Sequence, residues 1–185
     1  MEPWMWIAIA VVILLAIAIA AWLLTRPGRK LKKQFGPEYD RVVERTGDKN
    51  AAHEELQQRL ERHDNYTLRS LNADEQEQYV ADWRMLQRHF AKQPATGLLE
   101  ADDLITRLLH DVGYPTDSFE QQAADLSASH AGVVDDYRDA RAVVRDTKAG
   151  SAGTEEIRQA LLRYRTVFEQ VAETQVRRSD DEAVS

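Results

Sequence analysis

The stretch Asn72-Ala73-Asp74-Glu75-Gln76-Glu77-Gln78-Tyr79-Val80-Ala81-Asp82-Trp83-Arg84-Met85-Leu86-Gln87-Arg88-His89-Phe90 decides how the larger part of this chain is built. Asn72 is a helix cap, and Glu75, three residues later, can bond back to it, which is the Asn form of a capping box. Tyr79, Trp83, Leu86 and Phe90 then recur at 4-3-4 spacing, one face of a helix that must be buried. Gln93-Pro94 ends that helix.

The same logic carries the reading toward the C-terminus. A helix is predicted from Pro94 to Val112, with Leu98, Ala101, Ile105, Leu108, Leu109 and Val112 on one broad face. Gly113 stops it, with Pro115 two residues on. Asp117-Ser118-Phe119-Glu120 reads as a second capping box, with Asp117 as the cap of a short helix to Leu126 or Ser127. After a break at Ser129-His130-Ala131-Gly132, Val133, Tyr137, Ala140 and Val144 repeat at 4-3-4. Thr154 is read as the cap of a last helix with a seam of Ile157, Leu161, Tyr164, Phe168 and Val171. Residues 66–175 are therefore expected to form a compact all-α bundle of four or five helices, and residues 176–185 a disordered tail. No period of 20–50 residues repeats, which argues against a solenoid.

Toward the N-terminus, Phe35-Gly36-Pro37-Glu38-Tyr39-Asp40 is a helix start, with Pro37 at the first helical position and two acids at the positive end of the dipole. This helix is expected to reach Arg45 and stop at Gly47. Asp48 caps a second helix to about His63, whose apolar stripe of Ala52, Leu56 and Leu60 is thin. Residues 35–65 are read as a helical arm, exposed on most of its surface.

Before the arm, Trp4–Leu24 is an unbroken run of 21 residues drawn only from Trp, Met, Ile, Ala, Val and Leu. At 1.5 Å per residue such a helix is about 31 Å long, the thickness of a bilayer core. Trp4, Trp6 and Trp22 suit its two interfaces. A buried core helix would carry polar positions, and a cleaved signal peptide would start with a basic region and be shorter. Residues 25–34 form a basic juxtamembrane segment. Its Arg26, Arg29, Lys30, Lys32 and Lys33 predict an N-terminus outside and residues 26–185 in the cytoplasm. They also predict contact with anionic headgroups, worth about 1 kcal/mol per charge near the surface.

Residues 34–185 carry 19 basic and 30 acidic side chains, a net charge of −11. That argues against a nucleic-acid partner, which needs a basic face. The expected partners are a lipid bilayer with anionic headgroups and a protein whose identity the residues do not specify. The chain has no cysteine, which excludes disulfides, thiolate metal sites and a cysteine nucleophile.

Several segments together resemble a family of uncharacterised bacterial proteins with one N-terminal transmembrane segment and a helical domain after it. They are Phe35-Gly36-Pro37-Glu38-Tyr39-Asp40-Arg41, Trp83-Arg84, Gly113-Tyr114-Pro115, Phe119 to Ser127 and Tyr164 to Glu169. The resemblance covers most of residues 29–172. It implies a bacterial plasma or inner membrane and the all-α reading, and brings no activity, cofactor or catalytic residue.

Chemistry-bearing residues are sparse. Of His53, His63, His89, His110 and His130, none sits in a metal-binding pattern such as HExxH. His53 and His63 are expected to be solvated on the arm. His130, between Asp125 and Asp135 in sequence, is either a general base held by a carboxylate or a polar residue at a turn. Tyr114, Asp125, His130, Arg138 and Arg141 are the candidate interaction or polar site, with the arginines expected either to pair with Asp125 or Glu120 across the bundle or to face a partner's acids. Asp102-Asp103 and Asp135-Asp136 diverge by about 100° on a helix and are read as surface charge. Phosphate loops and the nucleophile elbow are missing, so no catalytic, cofactor or metal residue is assigned. The expected function is a membrane-anchored, non-catalytic interaction or structural protein with a cytoplasmic helical domain. The alternatives are an enzyme with a site near His130, or an extracytoplasmic helical protein if residues 4–24 are a cleaved signal or inverted.

Overall fold

The computed structural model describes residues 14, 15, 29–115 and 118–183, with side chains to residue 172. The described chain is all-α: α1 (Pro37–Thr46), α2 (Lys49–Asn65), α3 (Ala73–Phe90), α4 (Pro94–Val112), α5 (Phe119–Ser129), α6 (Val134–Lys148) and α7 (Thr154–Ala183), with residues 29–35 also helical. Among the described residues no helix is long and apolar enough to cross a membrane. The predicted span, residues 4–24, lies outside the described residues apart from Leu14 and Leu15, which are helical. Arg26 also lies outside them. The chain divides into two compact units between Gln57 and Gln58, ahead of the boundary expected at residues 65 and 66.

In the first unit Pro37 opens α1, and Gly47 closes it with its N–H on the Val43 carbonyl. Asp48 caps α2 as expected, its carboxylate accepting from the N–H groups of Asn50 at 3.3 Å and Ala51 at 3.1 Å. Leu31, Phe35, Tyr39 and Val42 are buried, as are Ala52 and Leu56. The arm was expected to be mostly exposed. The 4-4-3 stripe from Leu31 to Val42 passes across Gly36-Pro37, and a reading that started a new helix at Pro37 cut it in two. His53 is not simply solvated either: its Nε2 lies 2.8 Å from the Tyr39 hydroxyl. Arg29, Lys30, Lys32 and Lys33 are exposed, and Lys32 reaches Asp40 at 2.9 Å.

The second unit is organised around α4. It packs against α3, α6 and α7, while α6 packs also on α5 and α7. Leu98, Ala101, Leu104, Ile105, Leu108, Leu109 and Val112 are all buried, so α4 presents an apolar face wide enough for three neighbours. The short links 91–93 and 149–153 make α3–α4 and α6–α7 antiparallel neighbours. The capping box at Asn72 is complete: Asn72 accepts from the Glu75 N–H at 2.9 Å and Glu75 accepts from the Asn72 N–H at 2.9 Å.

Two glycines set how closely the helices turn. A Cβ on Gly97 would stand 2.7 Å from the Phe90 Cα, so α3 and α4 meet there backbone to backbone. Gly113 has φ of 105°, and a Cβ on it would sit 2.6 Å from the Thr67 carbonyl oxygen. Only glycine tolerates both the left-handed backbone and that approach.

Three local expectations are corrected. Ser118, not Asp117, caps α5, accepting from the Gln121 N–H at 3.2 Å; Asp117 itself lies outside the described residues. Both residues are good caps with Glu or Gln three positions on, so the capping-box pattern fits either register. Thr154 is the first residue of α7 rather than its cap, and the Gly153 N–H donates to Glu156 at 2.7 Å. The predicted disordered tail instead continues α7 to Ala183. No glycine or proline occurs after Gly153 to end that helix.

The aromatic face of α3 meets α7. Trp83 is buried and stacks on Phe168 with ring centroids 4.8 Å apart and planes 11° from parallel. Trp83→Ala should therefore cost about 3–5 kcal/mol in denaturant unfolding of a fragment covering residues 58–175. In that fragment Trp83 is the sole tryptophan, and its emission should be blue-shifted and poorly quenched by acrylamide. Emission like that of free tryptophan would contradict the packing.

Candidate functional site

The polar side chains buried in the second unit fall into two groups. The first lies where the end of α2 meets α5. Asp125 is fully buried one turn from the end of α5. It accepts from the Tyr66 hydroxyl at 2.7 Å, from Gln121 Nε2 at 2.7 Å and from Arg62 Nε at 3.3 Å. One turn back along α2, Arg59 is 4 % exposed and donates to the Ser127 hydroxyl at 3.2 Å. Burial, and then the Asp125 carboxylate on its hydroxyl, hold the Tyr66 phenol above its ordinary pKa.

His130 is the C-cap of α5, and its backbone N–H bonds the Leu126 carbonyl at 2.8 Å. Its ring is buried. Nδ1 lies 2.9 Å from the Ser129 hydroxyl and 3.5 Å from that of Tyr114, and those two hydroxyls bond each other. The rings of His63 and His130 flank Tyr114 at 6.3 and 6.5 Å. His63, expected to be solvated, is largely buried instead, with its Nε2 unbonded. These contacts make His130 the closing piece of a helix end.

The second group is interior. Asp102 was read from sequence as surface charge, but its side chain is only 2 % exposed. It accepts from the Tyr164 hydroxyl on α7 at 2.6 Å and from the Arg141 guanidinium on α6, with Lys148 Nζ at 3.9 Å. The reason lies in its register: residues 98, 102, 105 and 109 share the inward stripe of α4, whereas Asp103 turns outward and is exposed. Beside this group Tyr137 donates to the Gln122 side-chain oxygen. Arg141 thus engages Asp102, where the expectation named Asp125 or Glu120. Arg138 lies 3.6 Å from Asp135.

The sequence-predicted site residues are therefore shared out: Tyr114 and His130 stand together, Asp125 is held by Arg62 and Tyr66, and Arg141 by Asp102. Arg59, Arg62, Tyr66, Asp102 and Tyr164 were missed as site members. Among the described residues no three His, Asp or Glu side chains converge to hold a metal ion. In both groups a buried carboxylate is paired with a guanidinium from another helix and hydrogen-bonded by a phenol distant in sequence, which gives the helices a defined partner position. No protein-family model, curated protein or solved structure matches the chain.

Burial pushes the Tyr137 and Tyr164 phenols well above the ordinary value of 10, and the negative Asp102 adds to it. Below pH 10 each phenol is neutral in both the folded and unfolded chain. Above it the unfolded phenol ionises while the folded one keeps its proton. Stability is therefore present below pH 10 and lost as pH rises beyond it, by about 1.4 kcal/mol per pH unit for each phenol. Denaturant midpoints should fall steeply above pH 10, and Tyr137→Phe with Tyr164→Phe should reduce both that fall and the tyrosine absorbance change that coincides with alkaline unfolding. An early, non-cooperative titration of all the tyrosines would contradict the buried group.

Proposed function

We propose that this protein is a membrane-anchored, non-catalytic interaction or structural protein. Residues 4–24 cross the bilayer once with the N-terminus outside. The basic segment 25–34 rests on anionic headgroups, and the helical domain stands in the cytoplasm of a bacterial cell, where it offers its surface to a protein partner. The observation that carries this reading is the 21-residue apolar run followed within ten residues by Arg26, Arg29, Lys30, Lys32 and Lys33.

Two features of the domain support a non-catalytic role. The buried carboxylates Asp102 and Asp125 are each bonded to a phenol and a guanidinium, which stabilises packing and leaves them as acceptors already in use. Catalytic acids are characteristically poised toward a cleft. Here both carboxylates are buried and bonded to side chains of the domain itself.

The expected topology is read with reporters fused after residue 185. One active only in the cytoplasm should report, and one active only across the membrane should be silent. Neutralising Arg29, Lys30, Lys32 and Lys33 together should weaken that preference. The inverse pattern in the unaltered chain would overturn the cytoplasmic placement.

A further inference from the structure

We propose that a groove between α5 and α6 binds a phosphate-bearing anion. Arg138, Arg141, Arg145 and Lys148 follow one another at 3-4-3 spacing, which places them within about 80° of arc along about 15 Å of α6. They line one side of a groove of about 380 Å³ whose other side is formed by Phe119 and Glu120 at the start of α5. In a stretch of chain with net charge −11, the groove gathers four cations in its lining against one lining acid, Glu120, while Asp102, Asp135 and Asp146 lie within 4 Å of them outside the lining.

The cations are graded from fixed to free-ended. Arg141 is clamped from beneath by Asp102, and its guanidinium carbon stands 5.6 Å from the centre of the Phe119 ring. Its position is therefore set before any ligand arrives. Arg145 and Lys148 are 80 % and 56 % exposed, and their nearest carboxylates, Asp146 and Asp102, are 3.8 and 3.9 Å away. Those distances give charge attraction but lie beyond an N–H···O hydrogen bond, and both side chains line the groove.

Like charges one turn apart repel, and an anion with several acceptor oxygens between them relieves that repulsion. A phosphate fits better than a single carboxylate. It carries up to two charges and offers three oxygens to the guanidinium forks. Phe119 supplies an apolar wall for the organic part.

The test uses the full chain in phosphatidylcholine nanodiscs with inorganic pyrophosphate as the probe, read by calorimetric titration and by protection of Lys148 from amine acylation. Saturable binding with Lys148 protection is expected. Arg145→Gln with Lys148→Gln should weaken it by about tenfold or more, the loss of at least one charge-assisted bond. Arg158→Gln with Arg165→Gln, on the exposed side of α7, should leave it unchanged. A second arm replaces part of the phosphatidylcholine with phosphatidic acid. Lys148 protection only in those discs assigns the groove to a lipid headgroup, and protection by pyrophosphate in neutral discs assigns it to a free phosphate. Absence of protection in both arms, or equal weakening by the two double variants, overturns the proposal.

Discussion

A single buried carboxylate ties three helices of the second unit together. Asp102 stands on the inward stripe of α4, between Leu98 and Ile105. A carboxylate removed from water is costly unless it is paired and hydrogen-bonded. Its compensation comes from two other helices: the Tyr164 hydroxyl on α7 and the Arg141 guanidinium on α6. Apolar faces tolerate sliding by part of a turn, but a charge that must meet a particular hydroxyl does not. The apolar surface of α4 supplies most of the stability, and Asp102 selects the register in which it is buried.

The second carboxylate does a similar task at the edge of the domain. Asp125 ties α5 to Arg62 and Tyr66 at the end of α2, and Arg59 on Ser127 extends the contact by a turn. Arg141 links interior to surface. The guanidinium that neutralises Asp102 also lines the cationic groove. In the proposed binding role, a phosphate there would meet a cation already fixed by the core.

Much of this fold is written locally. The box at Asn72, the stops at Gly47 and Gly113, and the 4-3-4 seams on α3, α6 and α7 each depend on side chains within one or two turns, so the pattern of residues suffices. What was missed depends on contacts distant in sequence. Asp102 looks like half of an exposed Asp-Asp pair until the stripe 98-102-105-109 is drawn through it, and its partners lie 39 and 62 residues away. Asp125 meets Tyr66 across 59 residues. Its charge partner Arg62 sits in a segment read as an exposed arm. The cap of α5 failed for a different reason: Asp117 and Ser118 both satisfy the same motif, and only the backbone distinguishes them. The surroundings of His130 also needed three dimensions, because Tyr114, one of the two hydroxyls near its Nδ1, lies 16 residues away.

In the proposed membrane-anchored role, an apolar segment would hold near a bilayer a helical domain whose interior is cross-braced by polar contacts. The bracing at Asp102 is most directly measured by a double-mutant cycle with Asp102→Asn and Tyr164→Phe in the same chain, each variant unfolded in denaturant at neutral pH. If the carboxylate is a pinned, charged acceptor, the two changes are strongly non-additive, with a coupling of about 1–3 kcal/mol, as for a hydrogen bond to a buried charge. Additive losses within about 0.3–0.5 kcal/mol would contradict it, and would mean that Asp102 sits in water and α4 finds its register by apolar packing alone.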